Sequence, residues 1–157
     1  MEVSFKKGKT KSTQVCKRKD GSTFWSAMDP FMIVHDLAHF CVESKLRAFN
    51  GFYRLIATGI DISDFENKQK INSKNLPSEA KIIELIVGQI LTERADNKLS
   101  ENFNATLAES ANALGIDKTT SIRNEILVSI RKDLEKLLNK WNLLPVGDTL
   151  TLHFNET

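Results

Sequence analysis

Two histidines four residues apart lie in the segment HDLAHFCVE, residues 35–43. His35 and His39 would project from one side of a helix, because positions i and i+4 are neighbours on a helix surface. Two imidazoles at this spacing can bind one metal ion, as in the HExxH zinc enzymes, whose glutamate acts as general base. Here Asp36 follows the first histidine and Glu43 lies one turn after the second. The segment therefore predicts a divalent metal site, with zinc as first choice, or metal-free acid/base catalysis.

The polar side chains of this segment can be assigned roles. We predict His35, His39 and Glu43 as metal ligands, and Asp36 and Glu43 as catalytic residues. Asp36 would orient a ligand or serve as the third ligand, and Glu43 would be a ligand or the general base. Glu43 lies about 6 Å beyond His39 along the helix axis, so a residue from elsewhere would complete the site more easily. The candidates for that ligand are Asp61, Asp64, Glu66, Glu79, Glu84 and His153.

The same side chains also allow interpretations without a metal. Together with Arg47 they form a stripe about 120° wide on the helix, which is typical of a solvent-facing surface. Glu43 and Arg47 have the i,i+4 spacing of an ion pair. Histidines buried against a carboxylate or a carbonyl are a further interpretation. However, the stripe holds no lysine and its flanks are apolar, so a covering element would bury imidazoles and carboxylates together.

Strands are predicted at both ends of the chain. The stretches EVSF, STQVCKR and STFWSAM favour strands within residues 2–28, and Asp20-Gly21 predicts a type I′ hairpin. The alternating stretch at 148–154 predicts a C-terminal strand, which must pair with the N-terminal meander. We therefore expect one α+β domain over 1–157, with a small antiparallel sheet packed on four to five helices.

The predicted helices lie between these strands. Asp29-Pro30 predicts the start of the first helix, over about 30–48, because Asp caps free N–H groups and Pro loses no hydrogen bond there. A short helix ending near Gly59 follows, and the connector after it contains a capping-box spacing from Ser63 to Glu66. The later helices are predicted over 77–95, from Ser100 to Gly115, and from Thr119 or Thr120 to a stop before Pro145.

Composition limits the functional classes. The chain has 157 residues, of which 41% are hydrophobic and 27% charged, and no apolar run approaches the roughly 20 residues of a membrane span. We expect a soluble, cytoplasmic protein with buried thiols at Cys16 and Cys41. The lysines of the N-terminal meander lack interleaved aromatics and fit protection of sheet edges, which argues against a nucleic-acid partner.

The partner suggested by the sequence is an unidentified small molecule or protein. Apolar residues recur at three- and four-residue steps along the longest helix, so self-association as a homodimer is one alternative. Trp141, Leu143 and Leu144 would then serve as anchors. The first hypothesis is therefore a metal-binding, hydrolase-like protein, and the second is a non-enzymatic interaction or scaffold protein. Its histidines would be structural or solvent-facing.

Two resemblances rest on these motifs. KDGSTFW, PFMIVHDLAHFCVES and FNGFYRLIATGIDISDFE, within residues 15–66, resemble a family of small, uncharacterised bacterial proteins with the order DGSxxW, HDLxHxxVE, GFYxLxAxG. This resemblance implies no activity. HDLAH alone is similar to the HDxxH zinc-binding motif of a ubiquinone-biosynthesis protein family, which implies a zinc role for His35, Asp36 and His39. Gly51 stands where that family has a later glutamate.

Overall fold

Four strands and five helices make up the part of the chain that the computed structural model describes, which is residues 1–47, 50–60, 76–116 and 120–155. The elements are β1 Glu2–Lys6, β2 Ser12–Lys17, β3 Thr23–Met28, α1 Pro30–Lys45, α2 Phe52–Ala57, α3 Ser78–Ala95, α4 Phe103–Ala113, α5 Asn124–Leu143 and β4 Thr149–His153. The predicted α+β class is confirmed. None of the helices within these ranges is both long and apolar enough to cross a membrane.

Both ends of the chain contribute to one antiparallel sheet with the strand order β3-β2-β1-β4. As predicted, β4 pairs with the N-terminal meander, and Glu2 lies opposite His153. The prediction of a type I′ turn between β2 and β3 is wrong. That turn requires a positive φ at both of its central residues, and of Asp20 and Gly21 only Gly21 has one, at 87°. Asp20 instead accepts hydrogen bonds from the backbone and the hydroxyl of Ser22.

Helix α1 lies at the centre of the molecule. It begins as predicted, with the Asp29 carboxylate accepting a hydrogen bond of 2.8 Å from the backbone N–H of Met32. It contacts β3, α2, α3 and α5, and a helix covered on so many sides must be apolar almost all round. The apolar residues that it buries are Ile33, Leu37, Ala38, Cys41 and Val42.

Helix α5 starts later than predicted. Thr119 lies outside the described residues and Thr120 precedes the helix, which begins at Asn124. The reason is a contact with α4: the amide of Asn104 donates to the carbonyl of Ile122 and accepts from its N–H. Both backbone groups of Ile122 are therefore bonded outside the helix. The buried face of α5 consists of Leu127, Ile130, Leu134, Leu138 and Trp141.

Trp141 packs inside the chain. Its ring lies edge-on to Phe5 with 6.4 Å between centroids, and the ammonium of Lys7 donates to its carbonyl oxygen at 2.8 Å. The ring is therefore buried in the core, and it is not available as the anchor predicted for a dimer. Leu143 is 84% exposed, and self-association through α5 stays a prediction.

Asn102, rather than the predicted Ser100, caps α4. Its side-chain oxygen accepts from the backbone N–H of Ala105 at 3.1 Å. Ser100 has other partners, because its hydroxyl accepts from Gln89 and its N–H donates to Glu93. The Ser63 to Glu66 capping box lies outside the described residues.

Asn102→Ala should lower the free energy of unfolding by about 1 kcal/mol, because the replacement leaves the Ala105 N–H without its cap. Asn112→Ala is the matched control, since Asn112 is exposed within the same helix and its side chain caps no backbone N–H of a described residue. Urea unfolding of both variants measures the difference. Equal stability of the two would show that the cap contributes nothing.

Candidate metal centre

The polar stripe of α1 is buried. His39, Asp36 and Glu43 are only 1%, 3% and 2% exposed, and His35 is half-buried. The solvent-facing interpretation is therefore wrong for the first three. Because an unpaired polar group in the interior costs about 1–3 kcal/mol, each of these side chains needs a partner.

Each histidine ring has its Nδ1 atom against a carboxylate of the same helix. The Nδ1 of His35 lies 3.2 Å from the carboxylate of Asp36, and the Nδ1 of His39 lies 3.1 Å from the Oε1 atom of Glu43. A carboxylate in this position holds the proton on Nδ1, fixes the ring orientation and leaves Nε2 as the ligand atom. Both rings are thus arranged as metal-binding imidazoles usually are.

The two Nε2 atoms face one carboxylate from α3. Oε1 of Glu84 lies 3.1 Å from Nε2 of His39, and its Oε2 lies 3.5 Å from Nε2 of His35. Tetrahedral ligands of zinc lie about 3.3 Å apart, given zinc–ligand distances near 2.0–2.1 Å. Ligand atoms of the three residues all lie within 4.8 Å of one another, so this group could hold a metal ion.

The Nε2 atom of His39 lacks a hydrogen-bond partner among the described residues. It is fully buried, and although a Glu84 oxygen is close, the contact does not have the direction of a hydrogen bond. The oxygen lies where a neighbouring ligand of one ion would lie. A cation between them would satisfy both groups.

The charges around His39 oppose its burial. Burial lowers the pKa of His39, but the hydrogen bond with Glu43 and the Glu84 carboxylate outweigh it and raise that pKa to about 10. Burial lowers the pKa of His35 too, and contacts with Asp36 and Glu84 raise it above its ordinary value. Burial raises the pKa of Glu84, whereas the two histidines hold it well below the usual range. The site therefore favours positive charge between the carboxylates.

Glu43, which the sequence placed among the ligands, lies on the far side of His39 from Glu84. Its Oε2 accepts from the backbone N–H groups of Tyr53 and Arg54 at 3.0 and 3.3 Å, in the first turn of α2. These N–H groups carry the positive end of the helix dipole. Glu43 therefore joins His39 to α2. Its carboxylate is not part of the group formed by Glu84 and the Nε2 atoms of His35 and His39.

Asp36 is also joined to α2, through its backbone. The Tyr53 hydroxyl donates to the Asp36 carbonyl at 3.1 Å and accepts from the Gln14 amide at 2.9 Å. Burial raises the pKa of Tyr53 well above its ordinary value, which keeps the hydroxyl protonated as a donor.

Burial likewise raises the pKa values of the thiols of Cys16 and Cys41 to about 12, and both are free and buried as predicted.

The other ligand candidates divide into two groups. Asp61, Asp64 and Glu66 lie outside the described residues. Glu79 accepts hydrogen bonds from Asn50, and His153 lies in β4 opposite Glu2. Among the described residues, Glu84 is the candidate that meets both histidines. A signal for it existed in the sequence, because it is the only charged residue within IIELIVGQIL, residues 82–91.

Comparisons with protein-family models, with curated proteins and with solved structures returned no match for this chain. The geometry of the site is therefore the basis for assigning a function.

Gly51→Ala should disrupt the contact between Glu43 and α2. A Cβ atom at this position would lie 2.4 Å from Cδ of Glu43, so the buried carboxylate would have to move. We expect a loss of about 1–3 kcal/mol in the free energy of unfolding, measured by chemical denaturation.

Gly88→Ala provides the matched control for this substitution. A Cβ at Gly88 meets nothing within 4 Å, and alanine favours a helix interior over glycine by about 0.5–1 kcal/mol. The control should therefore be as stable as the parent or more so. Unchanged stability of Gly51→Ala would refute the close packing of Glu43 against Gly51.

Proposed function

We propose that this protein binds one divalent metal ion, with zinc as first choice, through Nε2 of His35, Nε2 of His39 and the carboxylate of Glu84. We further propose that the metal serves a hydrolytic reaction. Two histidines and one carboxylate are a ligand set of hydrolytic zinc enzymes, in which a further position is left for water. When bound, such an ion activates water and polarises the substrate.

One observation carries this proposal: the buried Nε2 of His39 has no hydrogen-bond partner within the described part of the chain, yet a carboxylate oxygen lies 3.1 Å from it. A structural histidine in the core would normally have both nitrogens bonded. Here one nitrogen of the ring is bonded to Glu43 and the other points at Glu84 and His35. A shared cation accounts for all three side chains.

Exposure also supports a reactive role. The side chains of Glu84 and His35 are 47% and 24% exposed, so a metal held by them would be reached from solvent on that side. His39, Asp36 and Glu43 form the buried side. In this proposal Asp36 and Glu43 act as positioning residues: they hold the rings rather than contact substrate.

Elemental analysis of protein purified without a histidine tag should find about one zinc or other divalent ion per chain. His35→Ala, His39→Ala and Glu84→Gln should each weaken zinc binding by more than the roughly 10–100-fold that loss of an outer hydrogen-bond partner costs. Zinc titration against a competing chelator measures the affinity, and circular dichroism checks the fold.

Hydrolysis of activated aryl and phosphate esters by the zinc-loaded protein should be lost in Glu84→Gln.

Glu79→Gln is the control for the loss of a carboxylate from α3. Glu79 lies on the same helix but is bonded to Asn50, so zinc affinity should be unchanged. The proposal fails if the parent protein binds no metal after incubation with zinc, iron, nickel and manganese ions, or if Glu84→Gln binds as tightly as the parent. The histidines would then be structural, which would favour the interaction or scaffold hypothesis.

Asp36→Asn should weaken zinc binding by roughly 10–100-fold without abolishing it, because the amide is nearly isosteric but holds the Nδ1 proton of His35 less strongly. Asp133→Asn, at a partly exposed ion pair with Lys45, is the control for loss of a carboxylate elsewhere. The same chelator competition gives both affinities. An unchanged affinity in Asp36→Asn would remove the positioning role of Asp36.

A further inference from the structure

A groove of about 520 Å³ lies between α3 and α4 and reaches Glu84. Four of the residues that line it recur at every fourth position, which places them in one stripe along α3 and its C-terminal cap: Glu84, Gly88, Thr92 and Asp96. At 1.5 Å per residue the stripe is about 18 Å long. The volume is in the range of ligand-binding clefts, about 300–1,000 Å³. Glu84 connects the groove to the proposed metal site: its Oε1 lies 3.1 Å from the buried Nε2 of His39, and neither histidine lines the groove itself.

Gly88 keeps this groove open beside the proposed metal. It lies one turn after Glu84, and a Cβ added there would meet nothing within 4 Å. Glycine inside a helix is unfavourable by about 0.5–1 kcal/mol relative to alanine, and here no packing contact requires it. A large side chain at this position would instead fill the part of the groove nearest to Glu84.

The lining of the groove presents mainly hydrogen-bond acceptors. The hydroxyls of Thr92 and Thr106 donate to the backbone oxygens of Gly88 and Asn102, so their remaining lone pairs can accept. Asp96 and Glu101 add carboxylates at the far end. Among the described residues that line the groove, Lys98 is the only cation. This chemistry is complementary to a ligand that donates hydrogen bonds and carries positive charge.

A second hollow, of about 460 Å³, lies between α3 and α5 but does not include the metal-site residues. Its buried Glu93 is bonded to Arg131 through both carboxylate oxygens, at 2.9 and 3.1 Å. Arg94 is likewise paired with Glu135. The carboxylates and arginines of this hollow already have partners, so the groove at Glu84 is the better candidate for a substrate.

We propose that the α3–α4 groove binds an elongated, amine-bearing substrate, with its reacting group at the metal and its ammonium tail along Gly88 toward Thr92 and Asp96. This inference rests on the proposed function, since it uses the metal held by Glu84. It adds the substrate class, which is a primary amine on an extended chain.

Hydroxamates provide probes that do not require the natural substrate, because the hydroxamate group chelates zinc. Isothermal titration of zinc-loaded protein would compare acetohydroxamate with three dodecanoic hydroxamates, which are long enough to follow most of the stripe and whose far ends carry an ammonium, a methyl or a carboxylate. We expect the ammonium compound to bind roughly tenfold more tightly than the methyl compound, the size of one charge-assisted hydrogen bond. The carboxylate compound should bind most weakly of the three.

Two sets of variants locate the tail. Gly88→Leu should reduce the tenfold preference to less than about twofold while acetohydroxamate still binds, and Gly88→Ala should retain most of it. Because the leucine could disturb α3, the double variant Asp96→Asn/Glu101→Gln tests the same tail without a change of volume. It should also lose the preference. Glu109→Gln removes an exposed carboxylate of α4 that does not line the groove, and should keep it.

The outcomes separate the two proposals. Equal affinities for the three tails, or tightest binding of the carboxylate tail, would overturn the amine-binding groove while the binding of acetohydroxamate keeps the metal site intact. A tail preference that survives in both Gly88→Leu and the double variant would place the tail elsewhere and overturn the inference. If the protein holds no zinc and binds no hydroxamate, the metal centre itself fails and the substrate inference fails with it.

Discussion

The central constraint on this structure is that α1 is covered on several sides and still carries ionisable side chains. A helix buried between a sheet and other helices cannot leave such groups to water, so each must find a partner inside the protein. Two carboxylates of α1 therefore bond the two histidines of the same helix. The ring atoms that remain meet Glu84, and the spare oxygen of Glu43 meets the N-terminus of α2. The candidate metal centre results from this packing.

Local sequence patterns were sufficient for much of the architecture. Asp29-Pro30 predicted the start of α1 because capping depends on adjacent residues, and alternation at the C-terminus predicted β4. The start of α5 was missed because it depends on Asn104, which is distant in the sequence and holds the backbone of Ile122. The cap of α4 was misassigned because Ser100 bonds to α3 instead. Long-range contacts decided both cases.

The same distinction applies to the site. The i,i+4 spacing identified His35 and His39 as a pair, since helix geometry alone places them together. Whether the polar stripe of α1 was solvent-exposed or buried could not be predicted, because its exposure depends on which elements cover α1. Glu84 was one candidate among several until the packing of α3 against α1 brought it to the rings. Glu43 was interpreted as a ligand because its second partner, the first turn of α2, cannot be inferred from spacing.

The shared carboxylate of Glu43 has a thermodynamic consequence. One of its oxygens holds the ring of His39 and the other holds the backbone of α2, so the two contacts are linked through a single rigid group. Linkage is reciprocal: if attachment of α2 favours one orientation of the ring, then whatever fixes the ring favours attachment of α2 by the same free energy. Detachment of α2 and disorder of the ring are therefore one coupled equilibrium, and hydrogen exchange at the Tyr53 amide would report the state of His39.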